Sequence, residues 1–166
     1  LQRGFTIIEL VVTVALVAIL LRLAVPSFTV WIRNAQMRSV AEALQNGIRN
    51  AQTEAVRRNR QMVFALTNDV PAVDATAVDN GRNWFIRTVP ALAGEASEFI
   101  EGGSFGETSR DVAIAGIAEI CFNSQGRLVS NTSGGLACDA AATAYDVTQA
   151  GAERRLRITV ASGGQL

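Results

Sequence analysis

The residue types best suited to chemistry are scarce in this chain. Its 166 residues contain no histidine, which removes the commonest general base, the usual partner of a nucleophilic serine and the commonest zinc ligand together. Gly102-Gly103-Ser104-Phe105-Gly106 lacks the Lys-Ser/Thr that completes a phosphate-cradling loop, so it reads as an ordinary loop. Glu98 and Glu101 read as a solvated face, and Asn131-Thr132-Ser133 spells a glycosylation sequon that is common by chance. No enzyme, cofactor or metal is expected. Three features remain. Glu9 is the one charge among the seventeen residues from Phe5 to Leu21, and an unpaired carboxylate in lipid costs several kcal/mol, so it wants a cation. Cys121 and Cys138 are the only thiols. Arg154, Arg155 and Arg157 cluster near the end, where Arg155 and Arg157, two apart on a strand, would share a face and reach phosphates.

The elements that must hold these residues begin with the apolar run. As a helix, Phe5 to Val25 rises ~32 Å, about the hydrocarbon thickness of a bilayer. Pro26-Ser27 follows in place of a small-residue cleavage site, so the segment reads as retained. Arg3 on its N-terminal flank favours a cytoplasmic start, which puts everything after Pro26 outside the inner membrane. Beyond Pro26 the pattern becomes one-sided: Met37, Val40, Ala41, Leu44, Ile48, Ala51 and Ala55 form one helical stripe, while Arg33, Arg38, Glu42, Gln45, Arg49, Gln52 and Arg57 occupy the other faces. One helix over residues 5–59 follows, membrane-spanning over 5–25 and amphipathic over 26–59. It would be ~80 Å long and bent near Pro26, whose ring removes a backbone hydrogen bond. Arg57, Arg58 and Arg60 read as cations complementing its C-terminus.

Residues 60–166 read as a β-rich domain, giving an α+β chain with the helix packed on a mainly antiparallel sheet. Strands are expected at Gln61–Thr67, Trp84–Val89, Ser97–Ile100 and Asp111–Ile114. Ala118–Phe122 and Arg127–Ser130 read as a hairpin turned at Gly126. Arg155–Ala161 is the cleanest strand, with Leu156, Ile158 and Val160 alternating against polar residues. Residues 68–82 and 133–150 read as long loops. Fifteen Arg balance fifteen acids overall, but residues 1–60 carry +5, residues 61–153 carry −8 and residues 154–166 carry +3. A domain outside the inner membrane lies in an oxidising compartment, so a Cys121–Cys138 disulfide is the simplest reading, contributing ~3 kcal/mol.

Gly4-Phe5-Thr6-Ile7-Ile8-Glu9-Leu10, after a basic residue and before an apolar helix with Pro26, resembles the class III signal of type IV pilins and pseudopilins. The resemblance continues through Ala24-Val25-Pro26-Ser27-Phe28 and through Leu44 to Arg60, where it is similar to the GspH/FimT group of minor pilins and pseudopilins. Cys121 to Arg127 and Arg154 to Val160 also match, whereas Arg22 stands where most relatives carry a small or apolar residue. The resemblance implies a long N-terminal helix on a β-rich domain. It implies that residues 1–4 are the remnant of a leader, that prepilin peptidase cuts after Gly4 and N-methylates Phe5, and that Glu9 takes part in assembly, its carboxylate meeting the freed amino group of a neighbouring Phe5.

The implied function is structural: a minor pilin that primes or caps a type IV pilus, with other pilins as partners, anchored by a single pass in the bacterial inner membrane before assembly. The alternative is an H-type pseudopilin of type II secretion. A further alternative is a minor pilin that binds DNA during uptake through Arg154, Arg155 and Arg157, although Glu153 beside them would repel phosphate.

Overall fold

The computed structural model describes residues 6–92, 94–106, 109, 111–152 and 154–166, with residues 23–27 described by their backbone alone. A single helix, α1 (Ile7–Arg57), comes first and is about 76 Å long at 1.5 Å per residue. Its start is set locally. Thr6, in extended backbone, accepts the Glu9 N–H on its hydroxyl at 3.3 Å, half of the reciprocal arrangement that a Thr-x-x-Glu pattern encodes. Its end is equally local. Asn59 takes a left-handed φ of 50°, its N–H reaching Val56 O and the Arg60 N–H reaching Ala55 O, the two bonds of a Schellman turn. The bend expected at Pro26 falls among residues whose side chains lie outside the described set; the backbone there is helical.

Among the described residues, seven strands follow in two antiparallel sheets. β1 (Met62–Thr67), β2 (Asn83–Thr88), β3 (Phe99–Ser104) and β5 (Glu119–Phe122) form one, in the order β3-β2-β1-β5. β4 (Val112–Ala115), β6 (Thr143–Gln149) and β7 (Leu156–Val160) form the other, in the order β4-β6-β7. The stripe of Met37, Val40, Leu44, Ile48, Ala51 and Ala55 is buried, as its spacing predicts, and Ala41 is partly so. Each fully buried Leu or Ile there contributes ~2 kcal/mol. Met62, Phe64 and Leu66 from the first sheet and Ile114, Tyr145, Val147 and Val160 from the second close on that stripe. Thus one amphipathic half-helix serves two sheets.

β1 is buried along its whole length because its other face is covered too. Val63, Ala65, Phe85 and Cys121 form a second, smaller core on the side away from the helix, roofed by Leu136 and Cys138. The Cys121–Cys138 disulfide, with 5.6 Å between Cα atoms, ties this roof to β5. Beside it, Glu119 is 5% exposed and accepts the Ala137 N–H at 2.9 Å, holding the same loop a second time.

Four expectations need correction. Residues 133–150 are not one loop: Thr143–Gln149 is β6, the central strand of its sheet, burying Tyr145 and Val147 on alternate positions. The strand expected at Ser97–Ile100 instead begins at Phe99 and runs through Gly102-Gly103-Ser104, residues expected to be loop. Gly103 pairs with Trp84 and Gly102 with Phe85 of β2, and glycine fits there because a Cβ on Gly103 would come within 2.9 Å of the Trp84 indole nitrogen. Arg127–Ser130 is no regular strand. The turn is as expected, with Gly126 at φ 74°, but only Phe122 and Leu128 form a bridge, and the Leu128 N–H goes to Ser162 O beyond β7. Finally, Glu98 and Glu101 are not merely solvated, since each holds a helix side chain: Arg58 donates to Glu98 at 2.8 Å, and Asn50 donates to Glu101.

Candidate assembly interface

Among the described residues, α1 is exposed along its whole length from Ile7 to Arg22. Ile7, Ile8, Leu10, Val11, Val12, Val14, Leu16, Val17, Ile19, Leu20 and Leu21 are between 51% and 86% exposed. Apolar surface continuous over about four helical turns is far beyond what a soluble monomer leaves in water, so it marks a surface that another apolar body covers. Within it Glu9 is exposed in the first helical turn, where the helix dipole favours a negative charge. Thr13 turns its hydroxyl back to Leu10 O at 2.9 Å, so it adds no unsatisfied group to the apolar face. Gly4 and Phe5, expected at the processing site, lie outside the described residues. Among the described residues no helix is long and apolar enough to cross a membrane. The described side chains of this run end at Arg22, and Ile7 to Arg22 spans about 24 Å.

At the far end the helix is locked to the sheet by ion pairs. Glu54 accepts from Arg57 at 2.6 Å and from Arg58 at 2.8 Å, Arg58 continues to Glu98 at 2.8 Å, and Arg60 reaches Glu95 at 2.7 Å and Val89 O at 3.1 Å. Arg58 and Arg60 therefore do more than complement the dipole: they connect the end of α1 to the loop between β2 and β3, whereas Arg57 pairs with Glu54 of its own helix. The hydrogen bonds from Arg57 and Arg58 hold the Glu54 carboxyl below its ordinary range, and those from the Ala91 N–H and Arg60 do the same for Glu95.

The arginines near the C-terminus separate into two kinds. Arg157 projects from β7 directly opposite Asp146 of β6 and grips both of its oxygens at 2.7 Å, which keeps the Asp146 carboxyl below its ordinary range. It is a cross-strand strut and not a free cation. Arg154 and Arg155 precede β7 and are exposed, and neither has a carboxylate ion-pair partner among the described residues. Glu153 lies outside them.

These carboxylates give the domain a defined pH response. Their folded pKa values are depressed, so their stabilisation is complete above the ordinary carboxylate range and is lost as pH falls through the folded values. Without histidine, no side chain of ordinary pKa titrates between pH 5 and 8. Thermal melts are expected to be flat across that range and to fall steeply below about pH 4. Asp146→Asn should reduce the acid slope, and an unchanged slope would mean that the Arg157 pair contributes nothing.

Comparison with known proteins bears on this architecture directly. Residues 40–164 match the family model described as type II transport protein GspH, which is three-quarters of the chain. The chain belongs to the GspH family. Residues 1–21 match the prokaryotic N-terminal methylation motif. No curated protein matches the chain in sequence. Among solved structures, two crystal forms of the type IV minor pilin FimU of Pseudomonas aeruginosa share the fold at 15% identity. Their TM-scores are 0.53 and 0.58, covering 77% and 81% of this chain and 88% and 89% of that one. The long helix, the antiparallel sheets and the disulfide are thus features of a pilin-like GspH-family subunit, a class of structural proteins.

Proposed function

We propose that this GspH-family chain is a minor pilin, a structural subunit that primes or caps a type IV pilus. Prepilin peptidase cuts after Gly4 and methylates Phe5. Residues 5–25 then hold the subunit in the inner membrane with its domain on the periplasmic side, until the helix passes into the filament core. The observation that carries this reading is the fully exposed apolar half of α1, rigidly continuous with a half that is buried in a folded domain. Leaving the bilayer, that surface has to be covered by similar helices of other pilins. Glu9 is the exception in the packing, and the amino group of a neighbouring Phe5 supplies the cation it needs.

A second reading has the same helix driving type II secretion in a pseudopilus, and the family's own description favours it. The fold shared with a type IV minor pilin favours the pilus. A deletion strain separates them. Loss of pilins from the sheared surface fraction, with normal levels of secreted enzymes in the medium, is the expected result. Intact pili with blocked secretion would assign the subunit to the pseudopilus.

A further inference from the structure

Beyond the apolar run, α1 carries a second exposed apolar group before it meets the domain. Phe28 and Trp31 are 60% and 64% exposed, with ring centroids 5.8 Å apart and planes 26° from parallel, and Ile32 beside them is 38% exposed. Trp84, the other tryptophan, is 9% exposed in the core. Immediately above this pair the exposed residues become cationic. Arg33 donates to Gly151 O at 3.4 Å, which draws the loop before β7 down against the helix. There Arg38 and Arg154 line one cleft of about 230 Å³ with Asn34, Met37 and Leu156. Among the described residues no carboxylate forms an ion pair with Arg33, Arg38 or Arg154.

We propose that this foot of the domain, Phe28 and Trp31 with Arg33, Arg38 and Arg154, binds an anionic phospholipid surface and sets the depth at which the unassembled subunit waits. The inference rests on the membrane anchor proposed above. Counted from residue 5, ~20 helical residues cross the hydrocarbon, so Phe28 and Trp31 enter the headgroup layer, where tryptophan is favoured. Helical Cα–Cβ bonds tilt towards the N-terminus, so Arg33 and Arg38 lean to the membrane side of their own Cα atoms. Arginine stems lie along apolar surface while the guanidinium stays among phosphates, and cations within a Debye length of the surface feel its negative potential. An aromatic pair below, and above it arginines with no carboxylate ion-pair partner among the described residues, is the layering of a headgroup region. Phosphate in duplex DNA would be met by the arginines but gives the exposed aromatic pair nothing to do.

The test uses the full chain in vesicles, with Trp84→Phe leaving Trp31 as the only indole. If that variant fails to fold, the difference between the native chain and Trp31→Phe isolates the same signal. In vesicles containing phosphatidylglycerol, Trp31 emission is expected to shift to the blue, to be quenched by lipids brominated near the headgroup more than by lipids brominated at the chain ends, and to be shielded from acrylamide. Arg33→Gln with Arg38→Gln and Arg154→Gln, or high salt, should reduce the shielding to its level in pure phosphatidylcholine. A chain that floats with the vesicles while Trp31 stays as quenchable as in water would overturn the proposal and leave the anchor standing. A chain that does not float would remove the anchor itself. Shielding indifferent to lipid charge, with duplex DNA retarded by the native chain but not by the triple variant, would give the arginines to nucleic acid and also overturn the proposal.

Discussion

Replacing Glu9 with Ala is expected to abolish incorporation into filaments while leaving cleavage after Gly4 intact. Glu9 is the one carboxylate in a surface that a helical bundle must bury, and in that setting an unpaired charge costs several kcal/mol. In the proposed filament, pairing with the amino terminus of a neighbouring Phe5 would convert that cost into register, because the match would be available at only one axial offset. The local geometry supplies a competing explanation. Glu9 sits at the third helical position, with its own N–H held by Thr6, so its loss could act by fraying the helix start. Two variants separate these accounts. Glu9→Gln keeps the capping geometry and loses the charge, whereas Thr6→Ala keeps the charge and loses the cap at a cost of ~1 kcal/mol. Filament fractions lacking Glu9→Gln but containing Thr6→Ala are the expected result, read by immunoblot of sheared filaments with the processed mass checked first. Normal incorporation of Glu9→Gln would remove the charge from assembly altogether.

The second large effect is expected from the disulfide. Replacing Cys121 and Cys138 together with Ala should cost ~3 kcal/mol, because the bridge closes a loop with a sequence separation of 17. For a chain of this size that corresponds to a fall in Tm of about 6–12 °C. The loss is concentrated on one side of the sheet. Leu136 and Cys138 roof the small core over Val63, Ala65 and Phe85, and without the bridge the ties that remain include the Glu119–Ala137 hydrogen bond, the Asn131–Cys138 backbone pair and the Ala140 N–H bond to the Ser130 hydroxyl. Limited proteolysis should therefore open the segment around residues 131–142 before the domain melts, with α1 and its larger core still protected. A Tm unchanged in the double variant, with no new cleavage there, would show that these hydrogen bonds suffice to hold the roof.

Both effects rest on residues that the chain itself singles out. Glu9 and the cysteine pair were legible because each is the sole residue of its kind in its setting: one charge in an apolar run, two thiols in a whole chain. The Thr6 cap was equally present as a Thr-x-x-Glu pattern but was overshadowed by the apolar run it opens. The aromatic pair at Phe28 and Trp31 could not be distinguished from core residues without knowing which helix face the sheets occupy. Arg157 looked as free as Arg154 and Arg155, since nothing near it along the chain identifies Asp146 as its partner.

That division follows from where the bonds go. Along α1 the backbone hydrogen bonds close between residues four apart, and the side-chain period repeats along the chain. The apolar half, the buried stripe from Met37 to Ala55 and both helix ends were therefore determined by the sequence itself. A strand is completed by residues far away, and its own pattern is only half of the information. Thr143–Gln149, with just Tyr145 and Val147 to bury, becomes the centre of a sheet because Ile114 and Val160 arrive on either side of it. Gly102 and Gly103 stand in a strand where Pro71 and the Trp84 indole take the space of a side chain, and Arg127–Ser130 keeps a single bridge to β5, Leu128 with Phe122, while the Leu128 N–H bonds Ser162 O. The tertiary structure alone decided these, together with the burial of β1 on both faces, since each depends on a contact that no window along the chain contains.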